Sequence, residues 1–397
     1  MARILIAWEL GHGLGHVLPL RALTGQLLAQ GHEVFVAGRD LLRVRRFFTG
    51  SGAHILSAPF FPGLTATAVQ QSSLADVIWY DAGGHSPEVL GAVFLAWREL
   101  MIQLRVDLLI ADAAPVALAA AKGLARTIYY AGFFHATDPS AWRIFRDWER
   151  VDIAACEERA CRLLRHLNQA RTEAGLSAAT TLTEGFGAQS QMIRGMPELD
   201  YAAPRTGVHY LSQVSRGGAE PQWPQPHLPR RVFAYLRKGY AHADRVVSAL
   251  ARLTQTSVLC FHDGLPADKM RAAEHMAYST EAFDMHLLLP QVDVVICHGG
   301  GLQSSSLRYG KPMLVLPMQT EQFLCGRMAV NAGAALLYLA KGERPEFLPM
   351  IRDLLSNNAF LKNAQRIADS ARDRDPEAVR CVWAEAERLL ASDLLDL

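Results

Sequence analysis

Short apolar runs alternate with longer amphipathic stretches along most of the chain. The first run, Arg3–Trp8, is followed by glycines, by a stretch over 18–28 with apolar residues at helical spacing, and by a second apolar run over 32–37. Continuous apolar runs are typical of parallel strands that are buried on both faces. The pattern therefore predicts a strand–helix–strand unit at the start of a doubly wound sheet.

The same alternation returns in the second half of the chain. Val294–Cys297 is an apolar run with glycines after it, 303–308 suits a helix, and 313–316 is a further apolar run. Other strands are predicted at 106–111, 232–236 and 257–261, and other helices at 156–174 and 245–253. The second half is thus predicted to be another parallel α/β domain.

A linker separates these two halves. Residues 215–230 contain two glycines and four prolines (221, 224, 226 and 229), a composition typical of interdomain connections. A chain of 397 residues is long enough for two domains of roughly 200 residues each. We therefore predict a first domain over 1–214 and a second over 231–375.

Composition excludes several classes of function. The net charge of +1 favours no nucleic-acid partner. The six cysteines lack metal-ligand spacing and are expected to be reduced thiols in a cytoplasmic protein. The first residues do not form a signal peptide, and no apolar run reaches the roughly 18 residues of a transmembrane helix. The glycines at 11, 13 and 15 also miss the G-x-G-x-x-G dinucleotide fingerprint, so a dehydrogenase is disfavoured.

The glycines after Val294–Cys297 predict an anion site. Three residues without Cβ let a bulky anion approach the backbone, and the N–H groups that open the next helix point at it. His298 and Ser304 are candidate donors to its oxygens. Glu321 and Gln322 follow the next strand, and a carboxylate beside an amide suits neighbouring sugar hydroxyls. Phosphate and hydroxyl groups together indicate a nucleotide-sugar.

These residues resemble the donor-site signature of GT-B glycosyltransferases, in the group of the UDP-glycosyltransferases and macrolide glycosyltransferases. The resemblance begins at Leu288-Leu289-Pro290 and Asp293 and extends to Gly333 and the helical stretch 345–364. Its main elements are His298-Gly299-Gly300-Gly301, Gly310-Lys311-Pro312, Leu316-Pro317 and Glu321-Gln322. The order of several such elements makes the resemblance more specific than any one of them.

The resemblance implies a GT-B fold, with two Rossmann-like doubly wound domains that face each other across a cleft. The first domain would bind the acceptor, the second the nucleotide-sugar, and the final helix over 376–397 would cross back to the first. Transfer of a hexose, most simply from a UDP-sugar, to a small-molecule hydroxyl would invert the anomeric carbon. No metal and no cofactor other than the nucleotide-sugar co-substrate is implied.

A catalytic histidine is also implied by the resemblance. His16, in the pattern Gly15-His16-x-x-Pro19, matches the family residue that removes a proton from the acceptor hydroxyl, a task suited to a group with a pKa near neutrality. Asp112, at the end of the strand over 106–111, matches the aspartate that orients it. His12 and Glu9 remain rival candidates on the same loop.

Other positions depart from the family pattern or are less specific. Arg237-Lys238 replace a Gly-Ser pair that meets the phosphates, and Lys238 is the candidate to supply charge there. The tryptophan that stacks on uracil is missing, and Phe283 lies next to the corresponding position. Two aromatic-bearing stretches, 60–89 and 129–152, suggest an acceptor with an apolar part; their candidate contacts are Trp79, Phe133 and Trp142.

Two alternatives remain open at this point. The same fold hosts sugar-nucleotide epimerases and hydrolases, which would act on the donor without an acceptor. A non-catalytic partner protein could keep the fold without turnover, which the changes at 237, 238, 302 and 306 allow. His16 and Asp112 favour an active enzyme.

Overall fold

The computed structural model describes residues 1–63, 71–211, 218–225, 227–264, 266, 268, 270–339, 345–372 and 378–391. By its internal contacts the chain divides into two compact units. The first contains Met1–Arg194, Ala202–Leu211 and Glu377–Leu397, and the second contains Gly195–Tyr201 and Ser212–Pro376. Positions 215–217 and 226 of the predicted linker lie outside the described residues.

The first unit is built on a parallel sheet with the order β3-β2-β1-β4-β5-β6-β7. Every neighbouring pair of these strands is parallel. The strands are β1 (Arg3–Trp8), β2 (Glu33–Gly38), β3 (His54–Ser57), β4 (Leu108–Asp112), β5 (Arg126–Ala131), β6 (Ser190–Arg194) and β7 (Val208–Leu211). Because the order reverses between β1 and β4, the sheet is doubly wound, as predicted.

Helices connect these strands. Among the described residues, five N-cap side chains of these helices accept a backbone N–H: Asp40, Ser73, Ser86, Asp152 and Thr181. The helices are α1 (Leu14–Ala29), α2 (Leu41–Phe48), α3 (Leu74–Asp81), α4 (Pro87–Leu104), α5 (Pro115–Ala120), α6 (Ile153–Glu173) and α7 (Leu182–Phe186), and 3₁₀ turns occur at Phe133–His135 and Pro139–Trp142.

The second unit has a parallel sheet of its own, with the order β10-β9-β8-β11-β12-β13. Its strands are β8 (Arg230–Arg237), β9 (Thr256–Asp263), β10 (Met276–Ser279), β11 (Val294–Cys297), β12 (Met313–Val315) and β13 (Ala335–Leu337). The order again reverses, between β8 and β11, and neighbouring strands are parallel. A doubly wound sheet in the second half of the chain is therefore confirmed.

Helices follow most of the strands in the described part of the second unit. They are α8 (Ala243–Ala251), α9 (Met285–Leu288), α10 (Gly301–Arg308), α11 (Thr320–Asn331), α12 (Phe347–Ser356) and α13 (Asn358–Ser370), with a 3₁₀ turn at Leu289–Gln291. A further 3₁₀ turn at Pro197–Leu199 packs against α11. Gly195–Tyr201 thus belongs to the second unit by its contacts.

The final described helix, α14 (Ala378–Ala391), belongs to the first unit. It packs against α1 and against β5 and β6. Val382 and Ala386 of this helix are buried in one core with Ile6, Leu20 and Ile110. Burying an aliphatic side chain of this size contributes about 1.5–3 kcal/mol, so α14 is an integral part of the first unit's core.

Candidate active site

His16 and Asp112 meet at the carboxyl edge of the first sheet. β1 and β4 are adjacent, and their last residues, Trp8 and Asp112, are paired in register. The loop after β1 leads into α1, whose first turn carries His16. Nδ1 of His16 lies 2.9 Å from Oδ1 of Asp112. The two residues predicted to act together are therefore in direct contact.

This contact determines which ring nitrogen of His16 is free. The carboxylate of Asp112, which is 0% exposed, is an acceptor, so Nδ1 is the protonated nitrogen in a neutral ring. Nε2 then carries the lone pair. An imidazole held in this tautomer can take a proton from a hydroxyl group, and the carboxylate stabilises the charged ring that results.

Arg194, which the sequence did not single out, completes this cluster. Its Nη2 lies 2.8 Å from Oδ2 of Asp112, and its Nη1 donates to the carbonyl of Gly15 over 3.1 Å. The guanidinium also lies over the ring of Tyr130, 5.0 Å from its centroid. Arg194 is the last residue of β6. The one feature of the sequence that could have indicated it is a charged residue directly after a short apolar run.

Charge balance keeps Asp112 ionised. Its burial would raise the pKa of the carboxyl, but the charge of Arg194, followed by the charge and the hydrogen bond of His16, outweighs burial and lowers this pKa below its ordinary value. His135 lies nearby, and burial, followed by the charge of His16, lowers its pKa to about 3. His135 is therefore neutral near pH 7 and adds no charge to the cluster.

The ring of His16 is held from two further sides. The indole of Trp8 stacks on it with a centroid distance of 5.5 Å and an interplanar angle of 18°. Gly11 lies at the Nε2 edge, where an added Cβ would be 2.4 Å from Nε2, and its φ of +78° also favours glycine. Gly11 thus leaves the space that the imidazole occupies.

The structure separates His16 from its two rivals. Glu9 is 2% exposed, and its carboxyl oxygens accept from the backbone N–H groups of Val116 (2.9 Å) and Ala117 (3.1 Å) at the start of α5. Burial raises the pKa of Glu9 to about 8. His12 is exposed at the surface. The part of its ring that is shielded from water, followed by the charge of Arg39, lowers its pKa. Glu9 has the contacts of a helix-capping group, whereas His16 contacts the carboxylate of Asp112; the role of His16 as a base stays a prediction.

In the second unit, the predicted glycine turn connects β11 to α10. Gly299 and Gly300 have φ values of +121° and +69°, which L-residues rarely adopt. Among the described atoms, none lies within 4 Å of a Cβ added at Gly300 or Gly301. No side chain in this part of the chain caps α10. Its first N–H groups are therefore available to an anion, and the helix dipole favours one.

His298, by contrast, is committed on both ring nitrogens. Nδ1 donates to the carbonyl of Leu316 over 2.7 Å, and Nε2 accepts from the backbone N–H of Arg237 over 3.0 Å. The residue is 1% exposed, and burial lowers its pKa to about 4. The ring is thus neutral. The prediction that it donates to a phosphate oxygen stays a prediction, and it requires the contact with Arg237 to be exchanged.

The remaining polar residues predicted for the donor lie on α10 and α11. Ser304 and Gln322 are buried, and Glu321 is partly exposed in the first turn of α11. Oε1 of Gln322 accepts from the N–H of Met318 over 2.8 Å, so its amide NH₂ remains as a donor. Because β11 and β12 are adjacent and parallel, the residues that follow both strands belong to one edge of the sheet.

Comparison with solved structures supports one fold for the whole chain. Glycosyltransferase VinC, in complex with DTDP, matches 98% of this chain and 99% of its own, with a TM-score of 0.67 and 18% identity. Spinosyn rhamnosyltransferase SpnG, complexed with thymidine diphosphate, matches 97% and 100%, with a TM-score of 0.65 and 20% identity. SnogD from Streptomyces nogalater matches 97% and 99%, with a TM-score of 0.64 and 18% identity. The chain has the GT-B fold.

The predicted fold class is thereby confirmed. No protein-family model matches the chain, and no curated protein matches it. At this level of sequence identity, the GT-B fold is preserved while most side chains differ. The chemistry of this chain therefore depends on its own residues.

The aromatic residues predicted to bind the acceptor are largely packed inside the first unit. Trp79 is buried, stacks on His166 at 5.5 Å and has Arg162 over its ring at 4.9 Å. Phe133 is also buried. The indole N–H of Trp142 donates to the hydroxyl of Thr183 over 2.8 Å. These contacts are of the kind that stabilise a core, and the acceptor role of the three residues stays a prediction.

Lys238 and Phe283, the two candidates at positions where the sequence departs from the family pattern, occupy different environments. Lys238 is exposed directly after β8, which is adjacent to β11. Phe283 is buried with its ring edge-on to Phe233 at 6.1 Å, and its backbone bridges to Ala219. The phosphate contact of Lys238 and the nucleobase contact of Phe283 both stay predictions.

Gln303, to which no role was assigned from the sequence, is a second feature beside the predicted site. It is 0% exposed in the first turn of α10, and neither its amide oxygen nor its amide nitrogen has a hydrogen-bond partner among the described residues. An added Cβ at Gly299 would lie 3.2 Å from its Oε1. An unpaired buried amide is costly, and here it lies directly against the glycine turn.

Two general features of the described ranges bear on function. No group of three or more His, Cys, Asp or Glu side chains in these ranges is arranged to hold a metal ion. In the same part of the chain, every helix is too short or too polar to span a membrane.

Proposed function

We propose that this protein transfers a hexose from a nucleoside diphosphate sugar to a hydroxyl group of a small-molecule acceptor. The observation that carries the proposal is the 2.9 Å contact between His16 and Asp112. It prepares a general base, as activation of a weak hydroxyl nucleophile requires. The solved structures of the same fold include a rhamnosyltransferase with thymidine diphosphate and the same enzyme with spinosyn aglycone.

The proposed reaction is a direct displacement. The acceptor hydroxyl gives its proton to Nε2 of His16 while its oxygen attacks the anomeric carbon of the donor. The bond from this carbon to the diphosphate oxygen breaks, and the electron pair leaves with the diphosphate. Asp112 stabilises the imidazolium ring that forms. A single displacement inverts the anomeric carbon, so an α-linked donor gives a β-glycoside.

In this proposal the second unit holds the leaving diphosphate. The free N–H groups at the start of α10 and the helix dipole supply positive potential where negative charge develops. The open space beside Gly300 and Gly301 leaves room for the phosphates. Glu321 and the amide NH₂ of Gln322 would hold sugar hydroxyls. This stabilisation does not depend on a metal ion, so turnover should persist in a chelating buffer.

The nucleobase of the donor is the least constrained part of the proposal. UDP is the nucleotide that the sequence resemblance implies. VinC and SpnG, however, were solved with thymidine diphosphate, so thymidine-linked donors are a second class to test. A thermal-shift panel with UDP, dTDP, GDP and ADP ranks the bases directly, because a ligand stabilises the state that binds it.

The decisive experiment measures transfer itself. Nucleotide-sugars that raise the melting temperature are incubated with pools of hydroxyl-bearing small molecules, and new glycosides are sought by mass spectrometry. Wild-type protein should form a product that His16→Ala forms about 10²–10⁴-fold more slowly. Change of the sugar without any acceptor would favour an epimerase. Nucleotide-dependent melting without product from any pool would favour a non-catalytic partner protein, and either result would contradict the proposal.

A further inference from the structure

The cluster around His16 contains a cation, Arg194, that was not predicted from the sequence. Both terminal nitrogens of the Arg194 guanidinium make hydrogen bonds within this cluster. Nη2 contacts the Oδ2 atom of Asp112 at 2.8 Å, and Nη1 donates to the carbonyl of Gly15 at 3.1 Å. One planar group thus touches the carboxylate partner of His16 and the peptide that directly precedes it.

We propose that Arg194 is a positioning residue that holds Asp112 and His16 in register and keeps the imidazole available as a base. This inference rests on the proposed function, because it concerns the same general base. A guanidinium suits the role because its donors form a rigid, permanently charged fork. A lysine at this position would keep the charge, but its donors would come from one atom instead of the two separate nitrogens that contact the two acceptors.

The electrostatic part of the role follows from the burial of Asp112. A carboxylate beside an imidazole stabilises the protonated ring, and its influence is strong in a buried site. A protonated ring cannot accept a proton from a hydroxyl. Because Arg194 offsets the charge of Asp112, the carboxylate can orient the imidazole without holding it in the charged form.

Other ionisable groups face this cluster from neighbouring elements. Burial, followed by the charge of His16, lowers the pKa of His135 to about 3. Burial raises that of Tyr130 to about 12, so both are neutral between pH 5 and 9. Among the described residues, those that interact electrostatically with His16 or Asp112 include Arg194, His135, Tyr130 and His12. Arg39, Arg43, Asp40 and Cys381 act on these neighbours. Arg194 is the cation in hydrogen-bond contact with Asp112.

The test compares Arg194→Met and Arg194→Lys with a matched control, Arg159→Met. Arg159 also pairs with a fully buried carboxylate, with its Nε 2.6 Å from Asp76, and it contacts Cys156 rather than His16. Loss of this pair should lower the melting temperature without changing the pH profile. The control therefore separates loss of a buried ion pair from loss of the proposed positioning.

For Arg194→Met we expect kcat to fall by about 10- to 100-fold, the scale of a catalytic group displaced by about 1 Å, with KM for both substrates within twofold. The acidic limb of the pH profile should move to higher pH, because the protonated ring is no longer opposed by a cation. Arg194→Lys should restore the position of this limb and only part of kcat. A limb that coincides with that of the wild type, or one that moves equally in Arg159→Met, would overturn the proposal.

A second readout does not depend on turnover. Imidazole ¹⁵N spectra of the free protein, with the His16 signals assigned by their absence in His16→Gln, should show the Nδ1–H form and a titration midpoint that is higher in Arg194→Met. Equal midpoints would reject the role of Arg194 even if transfer is observed. A higher midpoint without transfer from any donor would support it while the proposed function fails. If Arg194→Met does not fold, unchanged kcat in Arg194→Lys rejects the bridging role.

Discussion

Asp112→Asn tests the His16–Asp112 pair most directly, because asparagine keeps the shape of the side chain and removes its charge. Asp112 accepts on both oxygens, from Nδ1 of His16 at 2.9 Å and from Nη2 of Arg194 at 2.8 Å. Asparagine has one oxygen and one NH₂. If its oxygen faces Arg194, its NH₂ faces Nδ1, which must then become an acceptor. Nε2 would be protonated and could no longer act as a base.

The opposite orientation has its own cost. If the asparagine oxygen faces His16, the NH₂ group points at the guanidinium of Arg194, and two donors meet in a buried site. An unsatisfied donor there costs about 1–3 kcal/mol. We therefore expect the free energy of unfolding to fall by about this amount. We also expect kcat to fall by about 10³–10⁴, the scale of a base held in the wrong tautomer, which is about 4–5.5 kcal/mol in activation free energy.

The assay is steady-state transfer with saturating donor, accompanied by urea unfolding of each variant. Asp76→Asn is the matched control, because Asp76 is equally buried and pairs with Arg159. The control should lose a similar free energy of unfolding and keep kcat within threefold. A folded Asp112→Asn protein with kcat within threefold of the wild type would show that His16 does not need the charge of Asp112. An equal loss of kcat in the control would show that the loss comes from a weakened fold.

The pH dependence of stability should change in the same variant. The pKa of Asp112 in the folded protein lies below its ordinary value of 3.8. Its contribution to stability is therefore fully present above pH 3.8 and is lost as the pH falls through the folded value. Unfolding measured between pH 5 and pH 2 should depend less steeply on pH in Asp112→Asn than in the wild type.

Three further variants test neighbouring features. Gly11→Ala places a Cβ 2.4 Å from Nε2 of His16, so kcat should fall by about 10²-fold in the transfer assay. The pKa of Glu9 is raised from 4.5 to about 8, so its contribution is present below pH 4.5 and is lost as the pH rises through 8. Glu9→Gln removes this titration, so the free energy of unfolding of the variant relative to the wild type should increase by about 1–3 kcal/mol between pH 4.5 and pH 8.5, as measured with urea. His298→Ala should weaken nucleoside diphosphate binding about tenfold by calorimetry and lower the melting temperature, because it frees the N–H of Arg237.

Each of these expectations has a result that contradicts it. Unchanged kcat in Gly11→Ala would show that the imidazole does not need its present position. A stability difference between Glu9→Gln and the wild type that stays constant from pH 4.5 to pH 8.5 would show that the pKa of Glu9 is not raised in the folded protein. Unchanged affinity of His298→Ala for both UDP and dTDP would remove the residue from the phosphate site.

Much of the fold was predictable because parallel strands buried on both faces are continuous apolar runs. The strand at Arg3–Trp8 and the one at Val294–Cys297 have the predicted bounds. The helix predicted over 18–28 begins earlier, at Leu14. Its first turn lies in the glycine-rich segment and lacks apolar residues at helical spacing. The hydrophobic pattern therefore did not predict this turn. Resemblance to a known family then indicated His16 and Asp112, which are 96 residues apart.

The strands, the helices that follow them and the glycine turn were predictable from the sequence alone, since each depends on residues close together in the chain. What surrounds the predicted residues depends on the tertiary structure. Arg194 reaches Asp112 because β4, β5 and β6 are neighbours in one sheet. His298 has both ring nitrogens engaged because β8 and β12 flank β11. Such contacts depend on strand order and register, and these are set by the packing of the whole unit rather than by any local pattern.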